Sequence, residues 1–212
     1  MSRKISDIYT EYKIKRDIRE HMLRVAAVAS LICDNLDEKI DKELIISVCL
    51  LHDMGNIIKD QLIYYPEFLE PEGLDYWQNI RNEFIKKYGN SEDEATFLIG
   101  QEIKLNPDIL ELLRELVLIK LEDYTGPNTF KLQICKYADV RVSPLMVLSL
   151  KDRIEEWHKR NSNITQENAL FTYNFFSGVE KQIFAKCKIK PEDITDEAVA
   201  PIIESLKDFV IK

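Results

Sequence analysis

The stretch from Ile18 to Leu36, IREHMLRVAAVASLICDNL, decides the fold. His21, Val25, Val28 and Ile32 recur at i, i+4, i+7 and i+11, the period of one face of an α-helix. Ala26, Ala27 and Ala29 widen that apolar side. A polar link, DEKID, leads to a second stripe of Ile45, Val48, Leu51 and His52, which predicts a helix over about Lys42 to Met54 with Gly55 as its stop.

Outward from these two helices the pattern stays helical. Helices are expected at about 74–88, 92–104 and 107–121, with helix-start chemistry at Ser91 and Asn106-Pro107. Between Gln61 and Gly73 the periodicity loosens, and Tyr64-Tyr65-Pro66 and Pro71-Glu72-Gly73 read as loop around a short helix. Asp123 to Asn128, DYTGPN, is a loop. The next helix carries Phe130, Leu132, Cys135 and Asp139 and breaks at Ser143-Pro144. Three further patterns cover about 145–160, 165–187 and 192–211. With no repeat, low-complexity tract or flexible linker, the expectation is one all-α domain over 1–212. Its motif-bearing core spans about 16–144, and a C-terminal helical layer covers about 145–212.

Composition agrees. Only 6 glycines and 7 prolines occur in 212 residues, too few turn formers for a sandwich or barrel. A net charge of −8 argues against a general nucleic-acid or anionic-membrane surface, although a local basic pocket can still hold phosphate. The 4 cysteines form no CxxC pair and read as small apolar residues of a reducing compartment. The first residues, MSRKISDIYTEYKIKRD, are too polar for a signal peptide. No apolar run approaches the roughly 18–20 residues that span a bilayer, so a cytoplasmic location is expected.

The chemistry lies in a few polar residues on apolar stripes. There are 3 histidines, and one of them, His52, is followed directly by Asp53. His21 lies on the stripe of the preceding helix, and Asp139 on the Leu132–Cys135 stripe of a much later one. Each alone has an ordinary explanation: a satisfied core histidine, a helix-end pair, an aspartate bridged to Arg141. Together they are different, because a carboxylate on an apolar face is costly unless paired or metal-bound. Two imidazoles and two carboxylates from three helices form a mixed N/O set suited to a divalent first-row metal.

Three blocks carry a family resemblance: REHMLRVAAVASLICDNL, LIISVCLLHDMGNIIKD and KLQICKYADVRVSP. In order and texture they resemble the motifs of the HD-domain superfamily of metal-dependent phosphohydrolases, over roughly residues 16–60 and 131–144. The resemblance implies that His21, His52, Asp53 and Asp139 hold one divalent ion (Mn, Co, Ni, Fe, Zn or Mg). It also implies that water activated there attacks phosphorus, with Asp53 placed to orient the water or act as base. Two-metal relatives use further histidines between the HD pair and the last aspartate, and this chain has none there. His158, in EEWHKR, reads as a surface residue. Related enzymes often carry Lys or Glu three residues after the HD aspartate; here it is Asn56, which cannot titrate, and Lys59 one turn on is the candidate replacement charge.

For the substrate phosphate, Arg24 is the first candidate, one turn from His21, and Arg141 the second, two residues after Asp139. Arg16 and Arg19 precede the first histidine. Tyr64, Tyr65, Trp77, Arg81, Lys86, Lys87 and Tyr88 mix aromatics with bases, as a lid over a nucleobase does, and Asp93 and Glu94 are candidates for groups behind the ligands. The expected function is hydrolysis of a phosphate ester, a monoester before a diester, of a small metabolite, with a nucleotide as first choice. Two alternatives stay open: a metal-retaining nucleotide-binding or regulatory module with little or no catalysis, and redox chemistry on iron at the same site, which finding a second iron would support and one metal per chain would count against. No nucleic-acid or membrane partner is expected, and a homodimer is compatible with the sequence.

Overall fold

Ten α-helices and one short two-stranded ribbon make up the regular structure of the described residues in the computed structural model, which are 2–120, 128–161 and 163–212. The fold is all-α, as expected. In chain order the helices are α1 (Ile5–Glu11), α2 (Arg16–Asp34), α3 (Lys42–Cys49), α4 (Leu74–Tyr88) and α5 (Glu92–Ile103). They continue with α6 (Pro107–Leu118), α7 (Thr129–Val140), α8 (Leu150–Arg160), α9 (Gln166–Phe184) and α10 (Asp196–Leu206). The ribbon pairs β1 (Arg3–Lys4) antiparallel with β2 (Val210–Ile211), Arg3 opposite Ile211.

Small side chains place α2 at the centre. Ala26, Ala27 and Ala29 are fully buried, with Val25, Val28 and Ile32 beside them. Burial at successive positions means that the helix has neighbours on several sides rather than one apolar stripe, and α3, α7 and α10 all pack against it. α3 in turn meets α6 and α7, α5 and α6 pair as neighbours, and α9 lies across α7 and α8. Most buried apolar residues join one cluster that reaches from Ile5 to Ile211. A second, small cluster of Leu150, Ile154 and Ala169 joins α8 to α9.

Several boundaries differ from those expected. α3 ends at Cys49, not near Met54. The carbonyls that would continue it are taken by side chains: Tyr9 donates its hydroxyl proton to the Leu50 carbonyl at 2.6 Å, and the His52 ring engages Cys49. The helix expected from 145 begins at Leu150, because Val142 bridges to Val147 and the Val147 amide donates to Asp196 Oδ1 at 3.1 Å. The last expected helix is broken into a 3-10 turn at Pro191–Asp193, α10 capped by Thr195, and β2. The helix expected to reach 121 ends at Leu118, where Ile119 turns extended, and the loop expected from Asp123 to Asn128 lies outside the described residues except for Asn128.

Gly55 is required for a different reason from the one its sequence position suggests. Its φ is −91°, so no left-handed stop is needed. A Cβ there would lie 2.3 Å from the Glu92 carbonyl oxygen and 2.8 Å from Ala95 Cβ. The bare backbone lets the start of α5 come close, and the Gly55 amide donates to Thr96 Oγ1 at 2.9 Å.

Candidate metal centre

The end of α3 aims its two polar residues together. Consecutive residues of an α-helix diverge by about 100° around its axis, whereas the turns after Cys49 bring His52 and Asp53 to one place. His21 arrives from α2 and Asp139 from α7, both helices that pack against each other. His21, His52 and Asp53 each offer a ligand atom within 4.8 Å of the other two. Asp139 joins them: its Oδ1 is 3.1 Å from His21 Nε2 and 3.4 Å from His52 Nε2. Asp53 Oδ2 lies 3.8 Å and 3.9 Å from the same two nitrogens. The imidazole rings stand 5.4 Å apart.

Whether these residues suit a metal is answered by His52. Its Nδ1–H donates to the Cys49 carbonyl at 2.8 Å, so Nε2 is the ring nitrogen turned inward. That Nε2 is buried and makes no hydrogen bond among the described residues. A buried acceptor facing two carboxylates is unfavourable without a cation between them, so the donor set fits a divalent ion. The local fields agree. Burial would raise the Asp139 carboxyl, but the hydrogen bond with His21 and the charges of both imidazoles outweigh it and hold the group well below the usual carboxylate range.

A cavity of about 490 Å³ opens over this cluster, within the range of small-molecule sites. His21, Asp53 and Asp139 line it. So do Asn56 and Lys59. Asn56 donates its side-chain amide to Asp53 Oδ2 at 2.8 Å, so it holds a candidate ligand. Lys59 Nζ sits 3.1 Å from Glu92 Oε1. Burial pulls the Lys59 pKa down, but Asp53 and Glu92 outweigh it and keep the ammonium charged.

The two arginines expected at the phosphate are elsewhere. Neither is among the residues that line the cavity. Arg141 is buried and serves as a structural post: it donates to the carbonyls of Leu148, Pro191 and Ile194 and, at 2.6 Å, to the Tyr137 hydroxyl. Arg24 faces α10, with Nε 3.7 Å from Asp196 Oδ1. Arg16 donates to the Glu67 carbonyl and Arg19 to that of Ile14.

Sequence reasoning found Lys59 but missed the two arginines that line the cavity, Arg153 and Arg160, with Trp157 between them on α8. Their i, i+4, i+7 spacing was the available signal. Of the aromatic-basic segment, Tyr64 and Tyr65 line the cavity. Trp77 and Tyr88 are buried in the main cluster, Arg81 donates to the Ile58 carbonyl, and Lys87 pairs with Glu102. Asp93 and Glu94 do not line the cavity, whereas Glu92 reaches it through Lys59. His158 is half-buried on α8 and does not line it either.

No helix among the described residues is long and apolar enough to cross a membrane. No curated protein and no solved structure gives a significant match to the chain. The family model described as HD domain matches residues 18–142, more than half of the length and a span that holds all four clustered side chains. With His21 on one helix, His52-Asp53 at the end of the next and Asp139 on a third, the chain belongs to the HD-domain family of metal-dependent phosphohydrolases.

Proposed function

We propose that the protein hydrolyses a phosphate ester of a small metabolite, with a nucleotide as the first choice. The observation that carries this is one cavity lined both by His21, Asp53 and Asp139 of the cluster and by an arginine. Arg153 is that arginine: its Nε donates to the Val142 carbonyl at 2.9 Å, and its charge is felt at Asp139. Burial lowers the Arg153 pKa, yet a guanidinium stays charged in proteins, so it is a fixed cation next to the cluster.

A divalent ion held by His21, His52, Asp53 and Asp139 would lower the pKa of a bound water and polarise a phosphoryl oxygen. The chain supplies the rest. Arg153 binds the phosphate and orients it toward Asp53. Asn56 fixes the Asp53 carboxylate, whose remaining acceptor capacity is available to orient water. Lys59, on the same wall, offsets charge that develops on the leaving oxygen. Tyr64 and Tyr65 border the cavity where the organic part of the substrate would lie. One divalent ion per chain, a monoester substrate and a cytoplasmic setting belong to the same proposal.

The test is a turnover screen of the full chain against p-nitrophenyl phosphate, mononucleotides, dinucleotides and sugar phosphates, supplemented with Mn, Co, Ni, Fe, Zn or Mg. Release of inorganic phosphate with at least one metal is expected. No turnover with any pairing would favour the alternative of a metal-retaining nucleotide-binding module. That alternative draws on Asn56, a non-titrating side chain engaged with Asp53.

A further inference from the structure

α8 begins at Leu150, beyond the residues 18–142 that the family match covers, yet it forms one wall of the cavity. Arg153, Trp157 and Arg160 share a face of this helix. Arg153 is the inner member, tied to Val142 and facing Asp139. Arg160 is the outer member, two turns further along. Both arginines converge on Glu156. Arg153 Nη1 donates to one carboxylate oxygen at 2.7 Å, and Arg160 Nε donates to the other at 2.7 Å.

This arrangement leaves a charge to be used. One carboxylate between two guanidinium groups neutralises only one of them, so these three side chains together keep one positive charge. The shared partner also holds the two heads side by side and limits their rotamers. A guanidinium carries five N–H donors, so these bonds exhaust neither side chain. A single phosphate at the candidate metal centre needs one such cation, and Arg153 stands nearest to it. A second pinned cation in the same cavity matches a second anion.

We infer that Arg160, with Trp157 beside it, forms a specificity subsite for an anionic group linked to the phosphate that Arg153 holds. The inference rests on the phosphohydrolase reading for the position of that first phosphate. The substrate class is then a compound with two neighbouring phosphates, such as a nucleoside diphosphate with its terminal phosphate at Arg153 and its inner one at Arg160. Water attacking the terminal phosphorus breaks the P–O–P bond, an anhydride rather than an ester, with the nucleoside monophosphate as leaving group. Trp157 offers a flat apolar surface to the attached ring. Because this subsite lies outside the matched family region, selectivity is supplied by the C-terminal helices and the ion cluster by the family core.

Binding can be read separately from turnover. Trp157 is one of 2 tryptophans, and the other, Trp77, is buried with its indole N–H on the Leu69 carbonyl. A ligand-dependent change in fluorescence should therefore report Trp157 and vanish in Trp157→Phe. The full chain is titrated with ADP and with AMP at fixed ionic strength and metal. The wild type is expected to bind ADP at least about tenfold more tightly than AMP, the scale of a charge-assisted contact. Arg160→Gln should bring the ratio close to one, and Arg160→Lys should leave it between. Equal wild-type affinity for the two nucleotides overturns the subsite, and so does an unchanged ratio in Arg160→Gln. A preserved ADP preference without phosphate release under any metal would support the subsite while removing the hydrolase reading.

Discussion

The ring nitrogen Nδ1 of His52 lies 2.8 Å from the carbonyl oxygen of Cys49, three residues before it. A carbonyl only accepts, so that nitrogen carries the proton and Nε2 is left to face Asp53 and Asp139. Burial disfavours a second proton on the ring, but the two carboxylates outweigh burial and push its pKa up to about 9. A cation is therefore required in this place in one form or another. His52→Ala is expected to weaken divalent-metal binding more than about 100-fold, beyond the effect of losing an outer partner. Calorimetric titration with Mn or Ni measures this; an affinity within tenfold of wild type would remove His52 from the ligand set.

Asn56 acts through Asp53, since its amide holds one carboxylate oxygen at 2.8 Å. Asn56→Ala should lower metal affinity roughly 10- to 100-fold, the usual scale for a group that orients a ligand. The half-buried side chain contributes little packing, so the urea midpoint of the metal-free protein should stay near wild type. Unaltered metal affinity would show that the Asn56 contact does not position Asp53.

Metal binding should also appear as heat resistance. At a free metal concentration 100 times Kd, binding to the folded state alone adds about 2.7 kcal/mol. For a chain of this size, at about 2–4 °C per kcal/mol, Tm should rise by roughly 5–10 °C. Asp53→Ala should lose the shift and phosphate release together. His158→Ala should keep both, because that ring does not line the cavity. Loss of the shift in His158→Ala would mean that the ligands have been wrongly chosen.

Gly55 joins the HD turn to α5 by backbone contact. Gly55→Ala places a methyl against the Glu92 carbonyl, 2.3 Å away before relaxation, with Ala95 behind it. Overpacking of this kind costs roughly 1–3 kcal/mol. A fall in the urea midpoint at constant m-value is expected. A midpoint equal to wild type would show that α5 can move aside freely.

How much of this could be read from residues alone depends on what each side chain needed to know about its surroundings. The helical class followed from the α2 and α3 stripes, and the four clustered polar groups from their odd placement on apolar faces. Arg141 was misplaced because two residues along a helix is the opposite side, so proximity in sequence to Asp139 meant distance in space. Arg24 has suitable spacing from His21, but it extends toward α10, an element 172 to 182 positions away whose packing leaves no mark near Arg24. The early end of α3 depends on Tyr9, which lies in a helix of only 7 residues, too short to announce itself by periodicity. Arg153, Trp157 and Arg160 were legible as a common face of α8. Only the packed structure shows that this face looks into the cavity.

The encirclement of α2 has a consequence for how long an ion would stay. His21 rides on a helix whose middle residues are almost all shielded, with α3, α7 and α10 around it. Backbone amides in such a position exchange with solvent deuterium chiefly when the whole molecule opens, not by fraying at an end. Of the three helical supports, this one cannot be peeled away by itself. Departure of a bound ion would therefore proceed by rotation of side chains at the mouth or by global opening. On an exchange map, the amides from Val25 to Ile32 should be among the last to disappear.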